Sequence, residues 1–439
     1  MRGVWWTKRT RDRWRAGALL VVALGAAAVS CGRAVAEEAM PFWRVARVSG
    51  EVLGCLNGHA ESEIELIACT PACAPIPWQL DERDEANELV LPEGPQANPE
   101  SPSGVVDAND EILWMIADAG RRMRAEEVPA GAGCRREIPI RSARTTRWVY
   151  AFTVPPPAAR SPVRYVEYDP GRDTVESARV AIGFGAPTPR FLSMRDADGK
   201  LGPNLLDRLK VRASARFLGL IPLGRDEDDI EWDFGAWHAG AIRVVRREWQ
   251  WVRLGWGLRT PVFRTESFVY RDFIELPVRL RLNFPPTYFF RAIDVQAALD
   301  FRGLAGWTVH TPQGAAGVVG ALSAGASSRL NALEADWLAL EGPLTTLVLR
   351  LELGDSLASL RRQILYRDTD EDRGPEALAG EHPAIGFRLT EWGAVDRGNH
   401  HFTAVAYALP ATYDLAEFAS QDVEPISVAV TPFGDAAPE

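Results

Sequence analysis

Apolar residues recur at every second position along most of this chain. Leu209, Val211, Ala213, Ala215 and Phe217 alternate with Lys210, Arg212, Ser214 and Arg216, and Leu276, Val278, Leu280, Leu282 and Phe284 alternate with Pro277, Arg279, Arg281 and Asn283. A period of two buries one face of a strand and wets the other. Leu347, Leu349, Leu351 and Leu353 repeat the pattern, as do residues 426–431, and the runs 111–117, 147–154, 241–254 and 402–409 carry the aromatic and branched residues that strands favour. Helical spacing is confined to 356–366 and, more weakly, to 411–419. The pattern predicts an all-β protein with few short helices.

Breakers divide the pattern. Residues 92–104 have neither period nor apolar face and predict a surface loop, and Pro155-Pro156-Pro157 ends a strand. Residues 183–189 mark the expected join between an N-terminal module, 37–185, and a larger C-terminal one, 186–439, both sized for β-sandwiches. No repeat of fixed 20–50 residue period occurs, so a propeller or solenoid is not supported.

The first 36 residues read as an address. Basic residues from Arg2 to Arg15 lead into an apolar run over 16–30 and then Ala34-Val35-Ala36, a signal-peptidase pattern, which predicts cleavage after Ala36. The competing reading makes Cys31 a lipidated N-terminus, although Ala28 stands where such sites usually carry Leu. Either way a periplasmic or secreted protein is expected, with no transmembrane segment in the mature chain. Composition (46% apolar, 25% charged, 37 Gly, 31 Pro) excludes a coiled coil, a collagen-like repeat, an acidic disordered chain and a polytopic membrane protein. The whole chain has 49 basic and 59 acidic residues; without seven and one in the leader, 42 and 58 remain, a charge of −16. That balance disfavours nucleic acid and anionic lipid as partners, and leaves calcium as the cofactor to consider. Of the 49 basic residues only Lys8, Lys200 and Lys210 are lysine, the footprint of a GC-rich bacterial genome.

Cys55, Cys69, Cys73 and Cys134 make an even count in an exported chain, which reads as two disulfides with three connectivities open. A four-thiolate zinc site is the alternative, but no second close pair matches Cys69/Cys73. The run Ile76-Pro77-Trp78-Gln79-Leu80-Asp81, followed by Asp107-Ala108-Asn109-Asp110-Glu111-Ile112-Leu113 and Asp118-Ala119-Gly120, resembles the opening module of exported bacterial proteins of unassigned activity. A similar Pro-x-Gln-x-Asp opening occurs near β-sandwich domains of some polysaccharide-degrading proteins. The resemblance covers residues 42–155, implies an exported β-rich protein with a link to glycans, and carries no catalytic residue onto this chain.

Four constellations offer chemistry. Asp226, Asp228 and Asp229 in an acidic run could ligate calcium, against the plainer reading of a solvated loop; Asp107-x-Asn109-Asp110-Glu111 and Asp368-x-Asp370-x-Asp372 only partly match calcium-loop spacing. Trp232, Trp237, Trp249, Trp251 and Trp256 fall within twenty-five residues, and Trp249 and Trp251 would share one face of a strand, where an indole can stack on a sugar ring; the alternative is core packing. His238, His400 and His401 are candidate bases, in no zinc-hydrolase spacing. Ser323 lacks a nucleophile-elbow context, and the 58 carboxylates are too many to choose a catalytic pair from sequence. The expected function is noncatalytic or accessory binding of an envelope or extracellular glycan, with 226–256 as the cleft. The alternatives are a carbohydrate-active lyase or hydrolase, and a structural envelope protein with a protein partner.

Overall fold

The computed structural model describes residues 40–185, 189–196, 198–255, 257–260, 262–368, 383–411 and 413–433. The leader with Cys31, together with Trp256, Asp370, Asp372 and His382, lies outside the described residues.

From Met40 on, the chain forms one compact unit of stacked antiparallel sheets. Its centre is a ten-stranded sheet ordered Ile230–Ala239, Arg243–Gly255, Phe263–Tyr270, Phe273–Leu282, Gly398–Pro410, Thr345–Leu353, Trp337–Glu341, Thr308–Thr311, Gly314–Val318, with Leu258–Arg259 paired to Arg243–Gly255. On one face, Val244, Val269, Ile274, Leu347, Leu349 and Leu351 pack against Leu206, Phe301, Ile364, Ile385 and Phe387 of a five-stranded sheet. Val175, Val180 and Ile182 of a four-stranded sheet, Val166–Asp169 to Phe191–Met194, complete this core. The other face, with Val245, Phe268, Val348 and Val405, meets Leu113 and Met115 of a small sheet of Val45–Ser49, Glu111–Met115 and Gln79–Asp81. Alternation then sends Ile112 and Trp114 the opposite way, onto Ile64, Leu66, Ile138, Ile140 and Val149 of a six-stranded first sheet built on Arg135–Arg141, Thr146–Thr153, Ile64–Cys69 and Cys73–Pro75. The all-β, sandwich-like reading holds, and each layer follows from period two.

The last strands, Ser427–Val428 and Thr431–Pro432, return to pair with Arg135–Arg141 in that first sheet. Cys55 is bonded to Cys134 and Cys69 to Cys73, which selects one of the three connectivities; the second bond closes the hairpin in which these two cysteines face each other.

Two local expectations are corrected. Residues 356–366 are not a helix: a 3-10 turn Asp355–Leu357 is followed by the strand Arg361–Arg367, because pairing to Ala384–Thr390 buries Ile364 and Tyr366 more completely than an isolated helix could. Ser323 is the N-cap of an unforeseen helix, Ala324–Ala332, its hydroxyl accepting from Ala326 N–H at 3.3 Å. The weak pattern at 411–419 becomes the helix Leu415–Val423, capped by Asp414.

Candidate functional site

The hairpin of Ile230–Ala239 and Arg243–Gly255 forms one edge of the large sheet. The loop at 92–104 is pinned along this edge: Glu93 and Trp237 exchange backbone hydrogen bonds at 3.2 and 2.8 Å, and Gln96 N–H donates to Gly235 at 2.8 Å. Gly94, at φ 108°, comes so near that a Cβ there would lie 2.8 Å from the Ala236 Cα. The loop thus covers part of an edge that would otherwise be open to pairing.

Register fixes which side chains share a face. Trp249 stands opposite Asp233 and Trp251 opposite Glu231, so both indoles and both carboxylates lie on one face. Both tryptophans are half-buried. Trp251 Nε1 donates to Glu231 at 2.5 Å, and the Arg259 guanidinium sits 5.3 Å over its ring. Trp249 Nε1 is buried and, among the described residues, has no hydrogen-bond partner; it lies 3.2 Å from where a Cβ on Gly235 would be, so that glycine makes room for the indole. A bulge between Phe234 and Ala236 keeps His238 on this same face, opposite Val245. Trp232 and Trp237 belong to the opposite face, across from Gln250 and Arg246, and Trp237 packs edge-on against Tyr168 at 4.8 Å.

Toward the start of Arg243–Gly255 the same face is covered by the small sheet. Arg243 is enclosed there: its Nε donates to Asp81 at 2.8 Å, its Nη2 also reaches Asp81, and its Nη1 donates to the Tyr270 hydroxyl at 2.7 Å. Gln79 Oε1 accepts from the backbone N–H of Ile242 and Arg243 at 3.0 and 2.9 Å, and a side chain on Gly240 would collide with the Gln79 amide. The Pro-x-Gln-x-Asp motif is therefore a clasp between two sheets. Burial opposes ionisation of Asp81, yet the Arg243 guanidinium, His238 and the Gln79 amide together outweigh it and hold the carboxyl below its ordinary range, while burial pushes the Tyr270 hydroxyl up to about 12. Arg247, four residues on and on the same face, donates to Glu266 at 2.9 Å and to the Leu89 carbonyl at 2.8 Å.

The opposite face carries a set that the sequence reading did not single out. Arg246 is fully buried, bidentate to Asp173 at 2.7 and 2.5 Å, bonded to Glu248 at 2.8 Å and stacked 3.9 Å from the Phe184 ring. Gln250 donates to the other Glu248 oxygen at 3.2 Å. Burial pushes the Glu248 carboxyl up to about 7, since one guanidinium shared with Asp173 does not compensate for its lost hydration. The signal available in sequence was Arg246, Glu248 and Gln250 at period two inside a strand flanked by other strands, which obliges a polar stripe to find buried partners.

The remaining candidates lie apart. His400 is buried with both ring nitrogens engaged, Nδ1 with Ser356 Oγ and Nε2 with the Asp396 carbonyl, each at 3.0 Å, whereas the adjacent His401 is exposed. Their strand is four places from that of His238, about 19 Å at ordinary strand spacing, so the three histidines do not converge. Asp226 caps the 3-10 turn Glu227–Asp229 by accepting from Asp228 N–H, and Asp229 pairs with Arg225 and Arg253. Asp110, rather than facing solvent, is buried and accepts from the backbone of Arg83 and Asp107 at 2.8 and 2.9 Å. Among the described residues, the one group of three metal-ligand side chains within 4.8 Å of each other is Cys69, Cys73 and Glu127, two of which are disulfide-bonded. A cavity of about 490 Å³, not foreseen from sequence, opens at the end of the five-stranded sheet, lined in part by Arg291, Asp294, Arg388, Glu391 and Trp392. Among the described residues no helix is long and apolar enough to cross a membrane.

No protein-family model matches the chain, and no curated protein matches it. Among solved structures, an alpha-mannosidase from Enterococcus faecalis V583 is similar over 90% of this chain and 45% of its own length, with a TM-score of 0.45 and 10% identity. This chain spans about half the length of that enzyme.

Proposed function

We propose that this is an exported, noncatalytic glycan-binding protein whose sugar-contacting face is the outer half of the Arg243–Gly255 strand. The observation that carries the reading is the placement of Trp249 and Trp251 on one half-exposed face with Asp233 and Glu231 directly across from them. Indole faces stack on the C–H side of a sugar ring, and carboxylates beside them accept hydrogen bonds from ring hydroxyls. The two disulfides suit a protein that works outside the cytoplasm.

The test is a thermal-shift screen against acidic and neutral polysaccharides, with and without calcium, each mixture then assayed for chain cleavage. A ligand that binds only the folded protein raises the melting temperature by mass action. The expected result is a shift without cleavage that disappears in Trp251→Ala. Glu248, held near neutrality, is the observation that favours the enzymatic alternative, and cleavage abolished by Glu248→Gln would establish it in place of the binding reading. If no glycan shifts the protein and none is cut, the reading fails and a protein partner takes its place.

A further inference from the structure

One end of the molecule is apolar where it is most exposed. The turn joining Leu206–Phe217 to Ile221–Arg225 presents Leu218, Leu220 and Ile221, and the crossover from Phe273–Leu282 to Phe290–Phe301 presents Phe284, Tyr288 and Phe289. Leu220 is 82% exposed and Tyr288 68%. The two segments form one tip: Leu218 N–H donates to the Phe289 carbonyl at 2.7 Å, and the Phe289 ring lies 6.4 Å from Phe217 and 5.0 Å from Phe284.

We propose that this tip inserts into the surface of an anionic lipid bilayer. Three observations select that occupant. Much of the tip's backbone bonds within the tip: Gly219 and Leu220 donate back to Arg216 and Phe217 at 3.2 and 3.0 Å, Tyr288 and Phe289 donate to Pro285 and Pro286, and the two prolines have no N–H. That is what entry into an apolar phase requires. The tip is also rimmed by the exposed Arg216, Arg281 and Arg291, none of which, among the described residues, is ion-paired. Arg216 and Arg291 stand directly opposite each other in register, a repulsive arrangement that an anionic headgroup layer relieves. A second copy of the chain would set arginine against arginine instead. The acidic run of 226–229 does not oppose this docking, since it sits at the far end of Ile221–Arg225, about 17 Å away and beyond a Debye length. Of the carboxylates that share a cavity with Arg291, Asp294 is paired to Arg388 and Glu391 faces Arg361.

The experiment is co-sedimentation of the full chain with vesicles of phosphatidylcholine alone and of phosphatidylcholine mixed with phosphatidylglycerol, at low and physiological salt. Binding to the mixed vesicles, weakened by salt, is expected. It should fall at least about tenfold in Leu220→Asp and about fivefold in Arg281→Ala, with melting temperatures unchanged. Tyr288→Ser, in the neighbouring crossover, is an independent second variant and should also weaken binding. All variants keep the native N-terminal segment, so a loss reports on the tip, and Trp251→Ala should bind vesicles normally, which separates this inference from the glycan reading. The inference is overturned if mixed vesicles do not bind the native chain, if Leu220→Asp and Tyr288→Ser bind as well as native, or if the protein alone self-associates through the tip and Leu220→Asp abolishes that.

Discussion

The two halves of one face of the Arg243–Gly255 strand invert the usual expectation for their residues. In the first half, Arg243 and Arg247 are enclosed, and their guanidinium groups are matched to Asp81, Tyr270, Glu266 and a backbone carbonyl. In the second half, the larger and less polar Trp249 and Trp251 stay half-exposed. The residues alternate identically along the strand; what differs is that the small sheet and the segment carrying Leu89 and Asn98 cover Arg243 and Arg247, whereas Trp249 and Trp251 stay half-exposed. Coverage, more than residue type, decides whether a side chain braces the fold or stays available to a ligand.

The largest effect should come from the covered half. Arg243→Met leaves Asp81 buried without its cation and should destabilise the fold by about 4 kcal/mol in urea unfolding, with most of the loss recovered when Asp81→Asn is added. A loss under about 1 kcal/mol would mean that water reaches the clasp and that the contrast between the halves is false.

The reverse face of the strand sharpens the comparison through pH. Glu248 has a folded pKa of about 7 against an ordinary 4.5, so the native state keeps a proton that the unfolded chain releases. Its contribution is fully present below pH 4.5 and is lost as pH rises to about 7. Glu248→Gln removes this dependence, so stability measured relative to native should improve between pH 4 and 8 by on the order of 3 kcal/mol. A pH-independent difference between the two proteins would show that Glu248 ionises as if in water.

The smallest change belongs to the open half. Trp251→Ala should lower stability by only about 1 kcal/mol, since much of the indole is already hydrated. A loss above about 3 kcal/mol, measured by the same unfolding, would place Trp251 in the core and remove the basis for the sugar-binding face.

Period two was enough to foresee the strands at 206–217, 273–282 and 345–353, and to place Trp249 and Trp251 together. Residues 356–366 misled because Ile364 and Tyr366 satisfy a strand register as well as a helical one, and the strand that decides between them begins at Ala384. Tertiary pairing also hid the meaning of Gln79 and Asp81, whose partner Arg243 lies 162 residues from Asp81. For the same reason the four described tryptophans, Trp232, Trp237, Trp249 and Trp251, close in sequence, divide between faces: local spacing gives side-chain parity, whereas the covering sheet comes from a distant segment.

The return of Ser427–Val428 and Thr431–Pro432 to the strand Arg135–Arg141 gives the chain an order of assembly. This six-stranded sheet starts with Ile64–Cys69 and is completed only by residues 427–432. The strand Arg135–Arg141 pairs on one side with Thr146–Thr153, but its outer edge stays open until residues 427–432 arrive. A product stalled or clipped before residue 427 would expose that bare rim to any other extended chain nearby. Arrival of residues 427–432 is thus also the step that closes this edge against pairing with another chain.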